Sequence, residues 1–324
     1  MKKRFATVVG FVAVGALAVG CSGGPSGGPA GGDAKFPAKD ITMIVPYQAG
    51  GASDLAARTL ASEMEPTLGV SIVVENRTGG AGSVGLGALA SAKNDGYTIG
   101  YMPVETVMLS HNGYDIDPAK YAYLGQIVGV PATVAVPANS KYQTLDELLA
   151  DAKANPDTIT VGNSGAGSIW EAATIALGKA AGTSFRPVPF DGGAPAVTAA
   201  IGNQINAVVA GPSETSQAHK DGQLRILAVL ADDPIASLPE VKTAKAQGVD
   251  LSIGGWGLVG GPKGMPEAVV TVYDEAVKKA VASDKYSDVI TKAGNLPEWH
   301  SAADSEAFVT SEAARFGDLL SSLR

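Results

Sequence analysis

Four stretches of the chain combine glycines with hydroxyl, amide or carboxyl side chains at a spacing that can hold a small anion. The first is Tyr47-Gln48-Ala49-Gly50-Gly51-Ala52-Ser53-Asp54. Its two glycines let the backbone turn tightly and bare its N–H groups. Ser53 and Asp54 then open a helix, whose N-terminus carries partial positive charge. The second runs from Asn76 to Gly85 (NRTGGAGSVG). It contains G-x-G-x-x-G from Gly80, with Glu105 at the distance of a ribose-binding acid, which is the dinucleotide fingerprint. The third is Gly162-Asn163-Ser164-Gly165-Ala166-Gly167-Ser168. It misses the nucleophile elbow G-x-S-x-G only at Ala166, and Asp191 and His219 or His300 follow in hydrolase order. A secreted serine hydrolase using Ser164 is therefore the alternative reading. As an anion cradle, the same loop offers Gly165, Gly167 and Ser168 at a helix start. The fourth is Pro189-Phe190-Asp191-Gly192-Gly193-Ala194-Pro195, where Pro195 suits a first helical turn.

Alternating elements must carry these loops. Ile41–Tyr47 reads as a buried strand and Ser53–Glu65 as a helix, with Leu55, Ala56, Thr59, Leu60 and Met64 at helical spacing. Strands follow at 70–76, 98–102, 159–163, 185–190, 205–210, 224–231, 251–259 and 295–299. Helices are expected at 83–93, 144–154, 168–181, 194–202, 213–220, 266–282, 284–293 and 303–322. Thr144 and Glu147 form a capping box. The apolar stretch 124–138 is expected to break at Gly129 and Pro131. Such alternation predicts an α/β fold of mainly parallel sheets flanked by helices, with ligands at the carboxyl ends of the strands.

The N-terminus reads as an export signal. Lys2, Lys3 and Arg4 precede an uncharged run from Phe5 to Gly20, too short for a membrane span and right for a signal peptide. Leu17-Ala18-Val19-Gly20-Cys21 resembles a bacterial lipobox, with Ala18 where Leu is commoner. Residues 1–20 are then a cleaved signal, and 21–35 a lipidated Cys21 followed by a flexible Gly/Ser/Pro tether. Outside the cell nicotinamide cofactors are scarce. The fingerprint also sits on the second strand–helix unit rather than the first. Both facts weigh against a dinucleotide.

The 324 residues carry a net charge of −8, with 45% hydrophobic and 17% charged residues. An acidic chain is a poor general binder of nucleic acid. A single Cys excludes a disulfide framework, and three scattered His (His111, His219, His300) offer no metal site, so no metal or cofactor is expected.

In order along the chain, VPYQAGGASDLAAR, VVENRTGGAGSVGLGALASAKNDGYTIGY, GNSGAGS, PFDGGAPAVTAAIGNQINAVVAG and WGLVGGPKGMPEAVV resemble the tripartite tricarboxylate transporter receptors, the TctC or Bug family. The resemblance covers residues 38–324. It implies a two-lobed periplasmic-binding-protein fold of type II-like form, the chain building lobe one from 36–128 and 253–324 and lobe two from 129–252. It implies a monomeric, non-enzymatic receptor that closes on a carboxylated metabolite and passes it to a membrane permease, or to a sensor kinase instead. Gly50, Gly51, Ala52, Ser53 and Asp54 would face Ser164, Gly165, Gly167 and Ser168 and pinch one carboxylate. Asn76, Thr78, Gly79 and Ala81 would line one lobe, and Asp191, Gly192 and Gly193 the other, with Tyr47 as a wall. This chain departs from the family in Gln48-Ala49 for Pro-Pro in the first loop, and in Trp170-Glu171 where a His often follows the third. Arg58, Arg77 and Arg186 read as surface or structural charges, and Trp256 as a core or hinge wall.

Overall fold

The structure is a computed structural model that describes residues 36–322. The signal segment 1–20, Cys21 and the tether 21–35 lie outside the described residues. In chain order the strands and helices are β1 (Ile41–Val45), α1 (Ala52–Leu68), β2 (Ile72–Asn76), α2 (Ser83–Ala90), β3 (Thr98–Pro103), α3 (Glu105–Met108), β4 (Tyr121–Pro137), α4 (Leu145–Ala154), β5 (Thr160–Asn163), α5 (Ile169–Ala181), β6 (Arg186–Pro189), α6 (Gly193–Ile201), β7 (Ala207–Ala210), α7 (Pro212–Lys220), β8 (Leu224–Leu230), β9 (Gly254–Pro262), α8 (Glu267–Val281), α9 (Asp284–Lys292), β10 (Leu296–His300) and α10 (Ala302–Ser322).

The expected α/β alternation is present, and helices flank a continuous sheet of order β2-β1-β3-β9-β4-β7-β5-β6, with β8 and β10 also paired to β4. β1 lies parallel to β2 and β3, and β5 lies parallel to β6 and β7. Between these two parallel groups run β4 and β9, antiparallel to each other and to their neighbours. Alternation alone did not indicate these antiparallel strands.

The apolar stretch expected to break at Gly129 and Pro131 is one 17-residue strand, β4. Its first part pairs with β9 as far as Pro131, opposite Gly254, and from Ala132 onward it pairs with β8. Proline cannot donate to a ladder, so it is tolerated where a strand exchanges partners. The α1 helix also runs past its expected end at Glu65 to Leu68, through Pro66, which gives up the bond to the Ser62 carbonyl. Gly69, left-handed at φ 73°, closes it by donating to the Glu65 carbonyl. At α4, Thr144 Oγ1 accepts from Glu147 N at 3.2 Å, while Glu147 accepts from Gln143 N, one residue before the cap.

The large core gathers Met43, Ile44, Leu60, Met64, Leu86, Leu89 and Ile99 with Tyr273, Tyr286 and Phe316 from the C-terminal helices. Those helices are pinned back: Tyr273 Oη donates to Gly96 O at 2.6 Å and Tyr286 Oη to Ile127 O at 2.9 Å. A second, smaller cluster, with Val197, Ile205, Val208, Ile226 and Leu238, lies around α6, β7 and β8. The described residues include no helix long and apolar enough to cross a membrane.

Candidate functional site

The carboxyl ends of β1, β3, β5 and β6 and the amino ends of α1, α6 and α7 meet at a cavity of about 90 Å³. A cleft of about 360 Å³ adjoins it and shares Tyr47, Gln48, Ser164 and Gly192. Parallel strands place their loops on one side, so loops distant in sequence converge here.

The first loop is held from behind. Asp54 is 4% exposed and accepts from Gly50 N at 2.9 Å, from Arg58 Nε at 2.9 Å and from Asn76 Nδ2 at 2.8 Å. Asn76 donates to Tyr47 O at 2.9 Å and accepts from Arg58 Nη2 at 2.8 Å. Burial alone would raise the Asp54 pKa; the bonds from Arg58, Gly50 and Asn76 outweigh it and hold the carboxyl below its ordinary range. Helix α1 starts at Ala52 with no side-chain cap, and no described group accepts from Ala52 N or Ser53 N. Those two donors, with the Ser53 hydroxyl, belong to residues of the cavity wall.

The third loop spends its donors internally. Gly165 N donates to Asn163 Oδ1 at 3.0 Å, Gly167 N to Glu171 Oε2 at 2.6 Å, and Ser168 N to Gly165 O at 3.1 Å. Ser168 caps α5 by accepting from Glu171 N at 3.3 Å, and Ile169 N donates to Glu105 Oε1 at 2.9 Å. Ser164, 8% exposed, lines both cavities with its hydroxyl unpaired among the described residues. The fourth loop resembles the first: no described group accepts from Gly193 N or Ala194 N at the start of α6, and both residues line the smaller cavity.

Two carboxyls complete the wall. Burial drives the Glu105 pKa up against the bonds it accepts from Ile169 N and Tyr47. Burial, with a smaller push from Glu105, raises Glu214 to about 7, although Gly211 N donates to it at 2.9 Å. A Cβ on Gly193 would stand 2.3 Å from Glu214 Oε1, so only glycine lets this carboxyl close on α6. Burial and the Glu105 carboxyl push the Tyr47 phenol well above its ordinary value, and burial raises Tyr101 likewise.

Of the residues singled out in sequence, Tyr47, Gly51, Ala52, Ser53, Ser164, Gly192 and Gly193 line the smaller cavity. Thr78, Gly79, Ala81, Gly165 and Asp191 line the adjoining cleft. Gly167 and Ser168 line a separate hollow beside Asn112 and Glu171. Gly50, Asp54 and Asn76 line none of these and serve the network behind the first loop. The G-x-G-x-x-G run folds into a short turn over Gly80–Gly82 and the start of α2, while Glu105 faces the smaller cavity. A Cβ on Gly85 would lie 2.7 Å from both Arg77 O and Pro46 Cα, so this glycine serves close packing. No histidine lines either cavity. His219 is engaged with Leu224 O, Ile226 N and Glu240, and His300 packs on Phe308, so neither stands beside Ser164 as a base.

Residues 56–324 match the model of the tripartite tricarboxylate transporter family receptor. The chain belongs to that family. A relative from Agrobacterium vitis, the UPF0065 protein in the TAR-I ttuE-ttuC' intergenic region, is 30% identical over 266 residues, 81% of this chain and 77% of the relative. The solved periplasmic binding protein BugD is 28% identical, covers 89% of this chain and 98% of its own, and superposes with a TM-score of 0.83. In fold alone the receptor is also similar to Rhodopseudomonas palustris Rpa4515, solved with adipate, at 24% identity and a TM-score of 0.85 over 89% of this chain and 98% of that one.

In this receptor Arg58 braces Asp54, Arg77 pairs with Glu75 at 2.8 Å, and Arg186 is exposed; none lines the cavity. Trp256, 5% exposed, lines it while its Nε1 donates to Glu312 at 2.7 Å. Sequence reasoning missed Tyr101 and Glu214 as wall residues and saw Glu105 only as part of the dinucleotide spacing. The signal for Glu214 was Gly211-Pro212-Ser213-Glu214, which reads as an ordinary helix start, and Glu214 does cap Gly211. Only the fold shows that its carboxyl also faces the cavity.

Proposed function

We propose that this receptor captures a carboxylated metabolite outside the cytoplasm and delivers it to a tripartite tricarboxylate-type membrane permease, without a catalytic step. The observation that carries the reading is the meeting of two uncapped helix N-termini at one cavity. Ala52 and Ser53 on α1 and Gly193 and Ala194 on α6 bring unspent N–H groups, and Ser53 and Ser164 bring hydroxyls. Such donors hold a carboxylate without burying a basic side chain, whose desolvation costs several kcal/mol.

Residues 36–128 with 253–324, and residues 129–252, act as lobes that close about β4 and β9. Ligand favours closure because only the closed form offers both helix ends at once. Cys21 carries the lipid and 21–35 the tether, which keeps the receptor at the outer face of the membrane as a monomer.

The test is a thermal-shift screen of the full chain against mono-, di- and tricarboxylates, aromatic acids and amino acids, followed by calorimetry. A ligand at 100 times its Kd adds about 2.7 kcal/mol of stability. No shift from any acid would sink the proposal. Ser164→Ala should weaken binding only modestly; a hydrolytic activity lost in that variant would favour a hydrolase instead.

A further inference from the structure

The smaller cavity is built to neutralise more than a carboxylate. Among the described residues its wall holds two acids, Glu105 from α3 and Glu214 from α7, and no Lys, Arg or His. The other titratable groups in the wall are Tyr47 and Tyr101, both held neutral by their surroundings. Trp170 and Trp256 bring the aromatic side chains to four. Glu105 is 2% exposed, and beyond its own segment's backbone and Tyr47 it accepts from Ile169 N, a neutral donor. Glu214 accepts from Gly211 N and stands against Gly193 and Gly51. Ser164, more than nine-tenths buried at 8% exposure, brings to the same space a hydroxyl unpaired among the described residues.

Two acids facing a cavity without a basic partner are costly as anions, and that cost falls if they take up protons or meet a cation. A second carboxylate on the ligand would add a third negative group. A positively charged nitrogen would satisfy both acids, and aromatic walls favour it further. Unspent N–H groups of Ala52 and Ser53 remain for the ligand's own carboxylate.

Resting on the proposed carboxylate receptor, we propose that the ligand is an organic acid that also carries a positively charged nitrogen, its carboxylate on the α1 N-terminus and its nitrogen between Glu105 and Glu214. The nitrogen is a protonated amine or a quaternary ammonium. The cavity therefore selects zwitterions over dicarboxylates.

Calorimetry on the full chain at pH 7 tests this. The probes are the common amino acids, 4-aminobutyrate and glycine betaine, set against malate, glutarate and butyrate, with putrescine as a cation lacking a carboxylate. The expected result is a zwitterion bound at least about tenfold more tightly than any nitrogen-free acid, roughly 1.4 kcal/mol. Glu214→Gln and Glu105→Gln, nearly isosteric, should each lose that preference, and a thermal melt of each variant separates lost binding from lost folding. If malate, glutarate or butyrate binds as tightly as the best zwitterion, the inference falls while the carboxylate receptor stands. Putrescine bound as tightly as the best zwitterion would overturn both, since no carboxylate would then be needed. Silence across this panel would overturn the inference, and the wider acid screen then decides the carboxylate receptor. Should both Gln variants unfold, the wild-type ranking still decides.

Discussion

The first and third glycine-rich loops look alike in sequence and end in opposite states. Both follow a buried strand, both mix glycines with serine, and both open a helix. At α1 the helix start is left uncapped, and the nearby carboxylate, Asp54, turns back to brace the loop through Gly50, Arg58 and Asn76. At α5 the helix start is closed by Glu171 on Gly167 N and Glu105 on Ile169 N. A glycine-rich turn before a helix supplies donors; whether they stay available depends on where the nearest carboxylates point. In the function proposed above, the carboxylate therefore goes to α1 joined by α6, and the third loop gives the Ser164 hydroxyl, its N–H groups being spent internally.

The largest expected contrast comes from adding the same charge at both helix starts. Ala52→Asp places a carboxylate among the unspent donors of α1. Carboxylate affinity should fall about 100-fold or more, near 3 kcal/mol, while the folded state stays intact because acids suit a first helical turn. Gly167→Asp should leave affinity within a fewfold, since its N–H is already spent on Glu171. It should instead lower stability by about 1–3 kcal/mol, because Gly167 has φ +81° and a Cβ there would stand 2.9 Å from Asn112. Calorimetry and melting of both variants decide; equal losses of affinity would break the distinction between the loops.

Next in size is the brace behind the open loop. Asp54→Ala leaves Asn76 and Arg58 without their shared acceptor and frees Gly50. Urea unfolding should show a loss of about 2 kcal/mol, moderated by the half-exposed guanidinium. The Asp54 carboxyl is held below its ordinary value of 3.8, so its contribution is fully present above that pH and fades as pH falls through the folded value. The variant should therefore lose stability less steeply than the parent below pH 4. A parallel decline would show that the brace contributes nothing.

Much of this was legible in the residues. Glycine spacing located each loop, and hydrophobic periodicity located the strands and helices that carry them. What escaped has physical causes. Whether Gly129 and Pro131 break a strand depends on the partner across from them, and Pro131 is harmless because β4 changes from β9 to β8 there. The acids at 105 and 214 look like surface or capping residues, and only the packing of α3 against α5 and of α7 against α6 turns them into the cavity. The availability of an N–H is set by side chains that arrive from elsewhere, which is why Gly51 and Gly167 could not be told apart in advance.

Glu214 sharpens the comparison through pH. Its pKa rises from 4.5 to about 7 in the folded protein, so between those values the folded state holds a proton that the unfolded state has lost. Stability must then fall as pH rises through that window, by up to about 1.4 kcal/mol per pH unit at its steepest. Glu214→Gln removes the titration and should flatten the slope between pH 4.5 and 7 in a ligand-free urea series. An unchanged slope would place the proton elsewhere.

The smallest effect tests the closed side. Glu171→Gln keeps the shape of the α5 cap but exchanges a charged acceptor of Gly167 N for a neutral one. A charged group at a helix start is worth about 0.3–1 kcal/mol more than its neutral counterpart, through the helix dipole and the stronger hydrogen bond. Stability should drop by that amount, and ligand affinity should hold, because Glu171 lines neither the cavity nor the cleft. A variant that melts like the parent yet binds the ligand more tightly would mean that Gly167 N leaves its cap to meet the ligand. The third loop would then be a cradle held shut by Glu171, and the two helix starts would differ in occupancy rather than in kind.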